Sequence, residues 1–247
     1  MVFLLQKRVQ ILISPLESIA SEVSGYHAPV SQRSMIMWQM SKIRDAIRRA
    51  KEKNISYERR FSELRIDDIN SYKSMSLIPF TYPEEIMEDP AAFVCEMQRN
   101  ISRITSLNTS GSTGSPKRIY FTDNDLGRTV RLFEMGMGPI IKGCKRCLIM
   151  MSDNSPGSIA SLLKEGVERS GRPAVIYGNM SNVDDAAEAV LEGDAIVGVP
   201  SLVIHLCRKY PGLRPGSVLL SADHIPATAA ETIRKLWHCR VYTHYGM

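Results

Sequence analysis

The sequence predicts an α/β protein: a mostly parallel β-sheet flanked by helices, preceded by a helical N-terminal region. Two observations predict it. Beyond residue 120, short apolar runs alternate with segments whose apolar residues recur every three to four positions. The runs Leu148-Ile149-Met150-Met151 and Ala195-Ile196-Val197-Gly198-Val199 are apolar throughout, which suits strands covered on both faces. Strands joined by helices need crossover connections, and these make neighbouring strands parallel. The expected division is a helical region over 1–100 and an α/β nucleotide-binding region over 101–247.

The elements follow in order. Residues 9–19 suit a short helix, and Ser24-Gly25-Tyr26-His27-Ala28-Pro29 a loop with His27 exposed. Over 34–53, Ile36, Met40, Ile43, Ile47 and Ala50 share one helical face. Arg44, Arg48, Arg49, Lys51 and Lys53 lie mostly off that face and read as a solvated surface. A second short helix is expected over 57–64. Thr81, Pro83 and Glu84 form a helix start with Thr81 as cap, and Pro90 follows the helix end. Extended segments are expected at 104–107 and 119–122. Thr122 to Asp125 then caps a helix carrying Leu126, Val130, Phe133 and Met137 on one face. Strands are expected at 147–151, 173–177, 195–199, 217–220 and 240–243. Helices are expected around Ile159 to Val167 and over 183–191, 202–207 and 227–237.

Composition narrows the function classes. The 247 residues are 44% apolar and 23% charged, an ordinary globular balance. A net charge of +5 suits an anionic ligand and is too mild to indicate nucleic acid, and no basic stripe interleaved with aromatics is present. The five cysteines are Cys95, Cys144, Cys147, Cys207 and Cys239. Cys144-x-x-Cys147 has no second pair at metal spacing, so free thiols in a reducing cytoplasm are expected and no metal site. The short apolar start followed by Lys7-Arg8 is not a secretory signal, and no stretch has the length of a membrane span.

The chemistry concentrates in Thr109-Ser110-Gly111-Ser112-Thr113-Gly114-Ser115-Pro116-Lys117. Glycines turn backbone N–H groups inward, and successive inward N–H groups make an anion-binding concavity that hydroxyls and a lysine complete. A flexible Ser/Gly linker has the same composition but does not need the closing Pro-Lys or flanking strands. The common P-loop is excluded: Pro116 stands where its second glycine belongs, Arg118 follows the lysine, and a strand rather than a helix comes next. Ligands of parallel sheets bind beyond the carboxyl ends of the strands. Pro200-Ser201, Ser221-Ala222-Asp223-His224 and His244-Tyr245-Gly246-Met247 each follow a predicted strand, so they are expected at one edge with the loop.

The loop sequence resembles the phosphate loop of the adenylate-forming superfamily: acyl-CoA synthetases, peptide-synthetase adenylation domains and luciferases. Tyr245-Gly246-Met247 resembles that superfamily's second signature, and Leu77-Ile78-Pro79-Phe80-Thr81 is most similar to the phenylacetate-CoA ligase branch. The resemblance runs from about residue 34 to the end of the chain. It implies an acyl-CoA synthetase N-terminal-domain-like fold and a two-step reaction, in which a carboxylic acid is activated by ATP as acyl-AMP and passed to a thiol, coenzyme A, with Mg²⁺ on the phosphates.

Carried over by resemblance, Thr109, Ser110, Gly111, Ser112, Thr113, Gly114 and Lys117 hold phosphates, with Lys117 and Thr113 the expected catalytic pair. Ser221, Ala222 and Asp223 line the adenine pocket, Tyr245 stacks near the base with His244 beside it, and Gly246 admits the acyl-phosphate. Gly198, Pro200 and Ser201 fall where the acid's pocket would be, with His205 nearby. The Thr-Glu expected after Met247 and the later catalytic lysine lie outside the sequence, which implies an N-terminal part of such a ligase, inactive alone. A truncated sheet would expose apolar surface able to drive association, as a homodimer. The alternative is a stand-alone nucleotide- or acyl-binding module without catalysis.

Overall fold

The computed structural model describes residues 15–107, 117–153 and 157–244. The chain divides into two compact units, 1–121 and 122–247.

The first unit is helical with one hairpin. Helix α1 spans Pro15–Ser24, α2 Gln32–Lys53, α3 Ile55–Arg60 and α4 Pro83–Glu88. Ser31 starts α2 by accepting the Ser34 N–H at 3.0 Å. Met40 and Ile47 bury the expected face of α2 against Phe61 and Ile69, with Ile36, Ile43 and Ala50 packed alongside. The basic residues of α2 do more than face water. Arg44 donates to the Ile69 carbonyl at 2.7 Å, Lys51 to the Phe61 carbonyl at 2.9 Å, and Arg48 pairs with Asp45 and Asp67.

Asn54 closes α2 and opens α3. Its Oδ1 accepts from Ser56 and Tyr57 N–H, and its Nδ2 donates to the Ala92 and Val94 carbonyls. The cap of α4 is Tyr82 rather than Thr81. Pro83 forces the residue before it into extended backbone, and the Tyr82 N–H is taken by Glu85 at 2.6 Å.

Strands β1 (Arg103–Leu107) and β2 (Lys117–Phe121) pair antiparallel, from Arg103 opposite Phe121 to Leu107 opposite Lys117. Residues 108–116 therefore join two strand ends held in register.

The second unit is a five-stranded, wholly parallel sheet in the order β4-β3-β5-β6-β7. Its strands are β3 (Cys147–Met150), β4 (Ala174–Ile176), β5 (Ala195–Gly198), β6 (Ser217–Leu220) and β7 (Arg240–Thr243). Its helices are α5 (Asp123–Ile141), α6 (Ile159–Arg169), α7 (Val183–Ala189), α8 (Pro200–Lys209) and α9 (Ala229–Trp237).

Alternation along the strands sorts the core into two layers. Cys147, Ile149, Ala195, Val197 and Leu219 pack with Met137, Ile141, Leu163 and Val167 of α5 and α6. Leu148, Met150, Ile196, Val218, Leu220 and Val241 pack with Ala186, Val203, Leu206, Ile233 and Trp237 of α7, α8 and α9. Each large apolar side chain buried here contributes about 1.5–3 kcal/mol. Several expected boundaries move: α1 runs on to Ser24 rather than ending at 19, α3 spans Ile55–Arg60 rather than 57–64, and α7 ends at Ala189 rather than 191. The helix expected over 202–207 opens at Pro200, because a proline at the first helical position loses no hydrogen bond, and α8 runs on to Lys209. The helix expected at residues 227–237 begins only at Ala229.

At the amino ends of the strands, the partly buried Arg146 pairs with the fully buried Asp194. Arg146 Nε donates to Oδ1 at 3.0 Å and Oδ2 at 3.1 Å, Nη2 donates to Oδ2 at 2.9 Å, and the Leu191 N–H adds a bond at 2.8 Å. Asp194 is 0% exposed. Arg240, the first residue of β7, reaches the Pro139, Ile140 and Lys142 carbonyls at the end of α5. The cysteines are free, and burial pushes the Cys147 thiol up to about 12. Among the described residues, no helix is long and apolar enough to cross a membrane.

Candidate ligand edge of the sheet

The strand order makes the carboxyl edge the place for a ligand. From β3 the chain moves outward to β4, then returns past β3 to β5 and continues through β6 to β7. That reversal between β3 and β5 is the switch point at which doubly wound sheets open a crevice.

Three segments meet along this edge. The Ser221 N–H donates to the Gly198 carbonyl at 3.1 Å, tying the end of β6 to β5. The His244 N–H donates to the Leu220 carbonyl at 2.9 Å, tying the end of β7 to β6. Ser221 Oγ and His244 Nδ1 lie 3.0 Å apart in a side-chain hydrogen bond. Ser221 is half-buried and His244 exposed.

Ala222 has φ of 74°, in the left-handed region that costs a residue with a Cβ about 1–2 kcal/mol. Such outliers persist where surrounding structure holds them, often at binding sites. Asp223 accepts the N–H of His224 at 2.6 Å, so its carboxylate turns back on its own loop.

The acid-pocket candidates divide. Ser201 is exposed in the first turn of α8, while Gly198 and Pro200 are buried. A Cβ on Gly198 would meet Val203 Cγ2 at 2.8 Å and Met150 Cβ at 3.4 Å, so packing under α8 already demands glycine there. His205 is exposed on α8.

Lys117 opens β2 opposite Leu107. Thr109, Ser110, Gly111, Ser112, Thr113 and Gly114 lie outside the described residues, as do Tyr245 and Gly246. Among the described residues, no group of three His, Cys, Asp or Glu side chains is placed to hold a metal ion.

Sequence reasoning passed over the segment after β3, which shares the switch point with β5. Ser152 Oγ is buried without a hydrogen-bond partner among the described residues, and Asp153 accepts from the hydroxyl of Ser158. Ser158 also caps α6 through the Ser161 N–H at 3.0 Å. The signal was present as a run of turn formers, Asp153-Asn154-Ser155-Pro156-Gly157, directly behind an apolar strand.

No family model and no curated protein matches the chain. Solved structures do. An open conformation of 2-hydroxyisobutyryl-CoA ligase, in complex with 2-HIB-AMP and CoA, superposes with a TM-score of 0.70 at 16% identity, covering 91% of this chain and 59% of that one. The same ligase in its postadenylation state with 2-HIB-AMP gives 0.69 at 18% identity over 91% and 53%. In its thioesterification state it gives 0.63 at 20% identity over 84% and 48%. The chain thus spans about half the length of these ligase chains, and over that span it has the acyl-CoA ligase fold.

Proposed function

We propose that this chain is the nucleotide-binding part of an ATP-dependent acid–thiol ligase of the adenylate-forming type, of the phenylacetate-CoA ligase-like branch. The observation that carries the reading is the Gly/Ser/Thr loop closed by Lys117, whose two ends are pinned by the β1–β2 register. Its support is the likeness of fold to a CoA ligase whose structures contain an acyl-AMP and CoA.

In the first step, a carboxylate oxygen of the acid bonds to the α-phosphorus of ATP. The bond from that phosphorus to the bridging oxygen breaks, and pyrophosphate leaves. In the second, the sulfur of coenzyme A bonds to the acyl carbon, AMP departs and the thiol proton is released. The chain's own part is positioning and charge neutralisation. Lys117 and Thr113, with the loop N–H groups, hold the leaving phosphates, while Ser110 and Ser112 add hydroxyl donors.

Ser221, Ala222, Asp223, His244 and Tyr245 receive the AMP portion of the nucleotide, and the acid lies toward Ser201. Mg²⁺ enters with ATP, ligated by phosphate oxygens. The rest of the ligase completes the site, so the whole protein, in the cytoplasm, is the catalyst.

The test has two arms. Calorimetry on this chain is expected to detect ATP binding that Lys117→Ala weakens at least tenfold. Carboxylate-dependent exchange of labelled pyrophosphate into ATP is expected of the whole protein and not of this chain. ATP binding indifferent to Lys117→Ala, or a whole protein without exchange, would overturn the reading.

A further inference from the structure

The edge formed by β6 and β7 carries a polar pair that the fold itself does not require. Leu220 and Thr243 are register partners, so Ser221 and His244 stand side by side one position further on. Alternation puts both on the α5–α6 side of the sheet, in line with Leu219 and Tyr242. Along β7 on that side, Tyr242 is partly buried and His244 exposed. The opposite face is sealed by Trp237, Ile233 and Leu220, each 0% exposed.

His244 is held at one ring nitrogen only. Nδ1 lies 3.0 Å from Ser221 Oγ, and Nε2 has no partner among the described residues. The hydrogen bond at one imidazole nitrogen selects which nitrogen carries the proton. Where the serine hydroxyl is the donor to Nδ1, the proton sits on Nε2, and an N–H there is a donor that seeks an oxygen. Ser221 is itself anchored by its N–H on the Gly198 carbonyl, and the following Ala222 turns the chain away through φ of 74°. The ring is therefore oriented from the sheet, and its Nε2 is unpartnered among the described residues.

We propose that Ser221 and His244 act as one recognition unit for an anionic phosphate oxygen of the bound nucleotide, His244 Nε2 making the contact and Ser221 positioning the ring. The proposal rests on the nucleotide-binding reading above and adds the group that is read.

The test compares AMP with adenosine, which differ by the phosphate alone. Calorimetry is run on the 247-residue protein and on His244→Phe, His244→Gln and Ser221→Ala. A hydrogen bond to a charged group, once lost, is expected to weaken AMP about tenfold or more in His244→Phe, with adenosine unchanged within about twofold. His244→Gln, whose amide can donate from near the Nε2 position, is expected to recover most of the loss.

Ser221→Ala is expected to weaken AMP less. It should also convert the His244 ring nitrogen resonances from a single tautomer to an averaged pair, a change measured without ligand. Equal losses for AMP and adenosine, no loss for either, or ring resonances unmoved by Ser221→Ala would overturn the proposal while leaving nucleotide binding intact. A wild-type protein that binds neither AMP nor adenosine would overturn both.

Discussion

Replacing Gly166 by alanine isolates what holds α5 against α6. A Cβ built on Gly166 would lie 2.7 Å from Phe133 Cβ, 2.9 Å from the Glu134 nitrogen and 2.9 Å from the Val130 carbonyl oxygen. Carbon contacts are comfortable at about 3.5–4.0 Å, so α6 would have to retreat by the order of 1 Å. Overpacking of this kind costs about 1–3 kcal/mol. The upper end applies here, because two of the three obstacles are backbone atoms and the third is a Cβ, none of which a rotamer change removes.

Alanine offsets about 1 kcal/mol through its better helix propensity. The net expectation is a loss of about 2 kcal/mol, read as a lower urea midpoint by fluorescence of Trp237, which is fully buried in this unit. Gly136→Ala in α5 is the control. Among the described residues nothing lies within 4 Å of the added methyl, so propensity alone should stabilise by up to about 1 kcal/mol. Adding Phe133→Ala to Gly166→Ala should recover none of the penalty, since the Cβ remains. A Gly166→Ala protein as stable as wild type would refute the close-approach argument.

Three other outcomes are expected. Asp194→Asn leaves the Arg146 guanidinium without its carboxylate and should cost about 3 kcal/mol in the same urea assay, the low end for breaking a buried pair because the amide still accepts hydrogen bonds. Ala222→Gly relieves a left-handed Cβ, and the gain less the extra unfolded-chain freedom of glycine should leave about 0.5–1 kcal/mol of stabilisation. Burial pushes Cys147 to about 12 and Cys207 and Cys239 to about 11. At pH 8 these thiols stay protonated, and a disulfide reagent should modify the buried Cys147 and Cys207 only after denaturant is added, while the half-buried Cys239 reacts slowly in the native protein.

The sheet was legible because its strands obey simple statistics. Runs such as Cys147 to Met150 and Ala195 to Gly198 are apolar at every position, and at four or five residues between turn formers such a run suits a strand buried on both faces better than a helix. The cap of α5 at Thr122 was visible for a similar reason, since it carries the short oxygen a helix start needs.

What escaped was long-range. Nothing in the chain states that β5 returns to the far side of β3, so the loop after β3 was not placed at the ligand edge. Nor does local pattern reveal that Gly198 answers to Val203, or that Arg44 and Lys51 close onto carbonyls of the first unit. Those partners are set by tertiary approach. The pairing of Ser221 with His244 required the strand order and register first.

The polar fastenings of the second unit have a further consequence. Arg146 with Asp194, Arg240 on the carbonyls that end α5, and Ser217 against Cys144 all sit at the amino ends of the strands. The residues proposed to meet a ligand sit at the carboxyl ends. The two ends of the sheet are thus open to separate histories of substitution. Side chains at the carboxyl rim, such as Ser201 and His244, can be exchanged by drift or by design to change what is bound there, while the fastenings that keep the unit folded lie the length of a strand away and are left untouched.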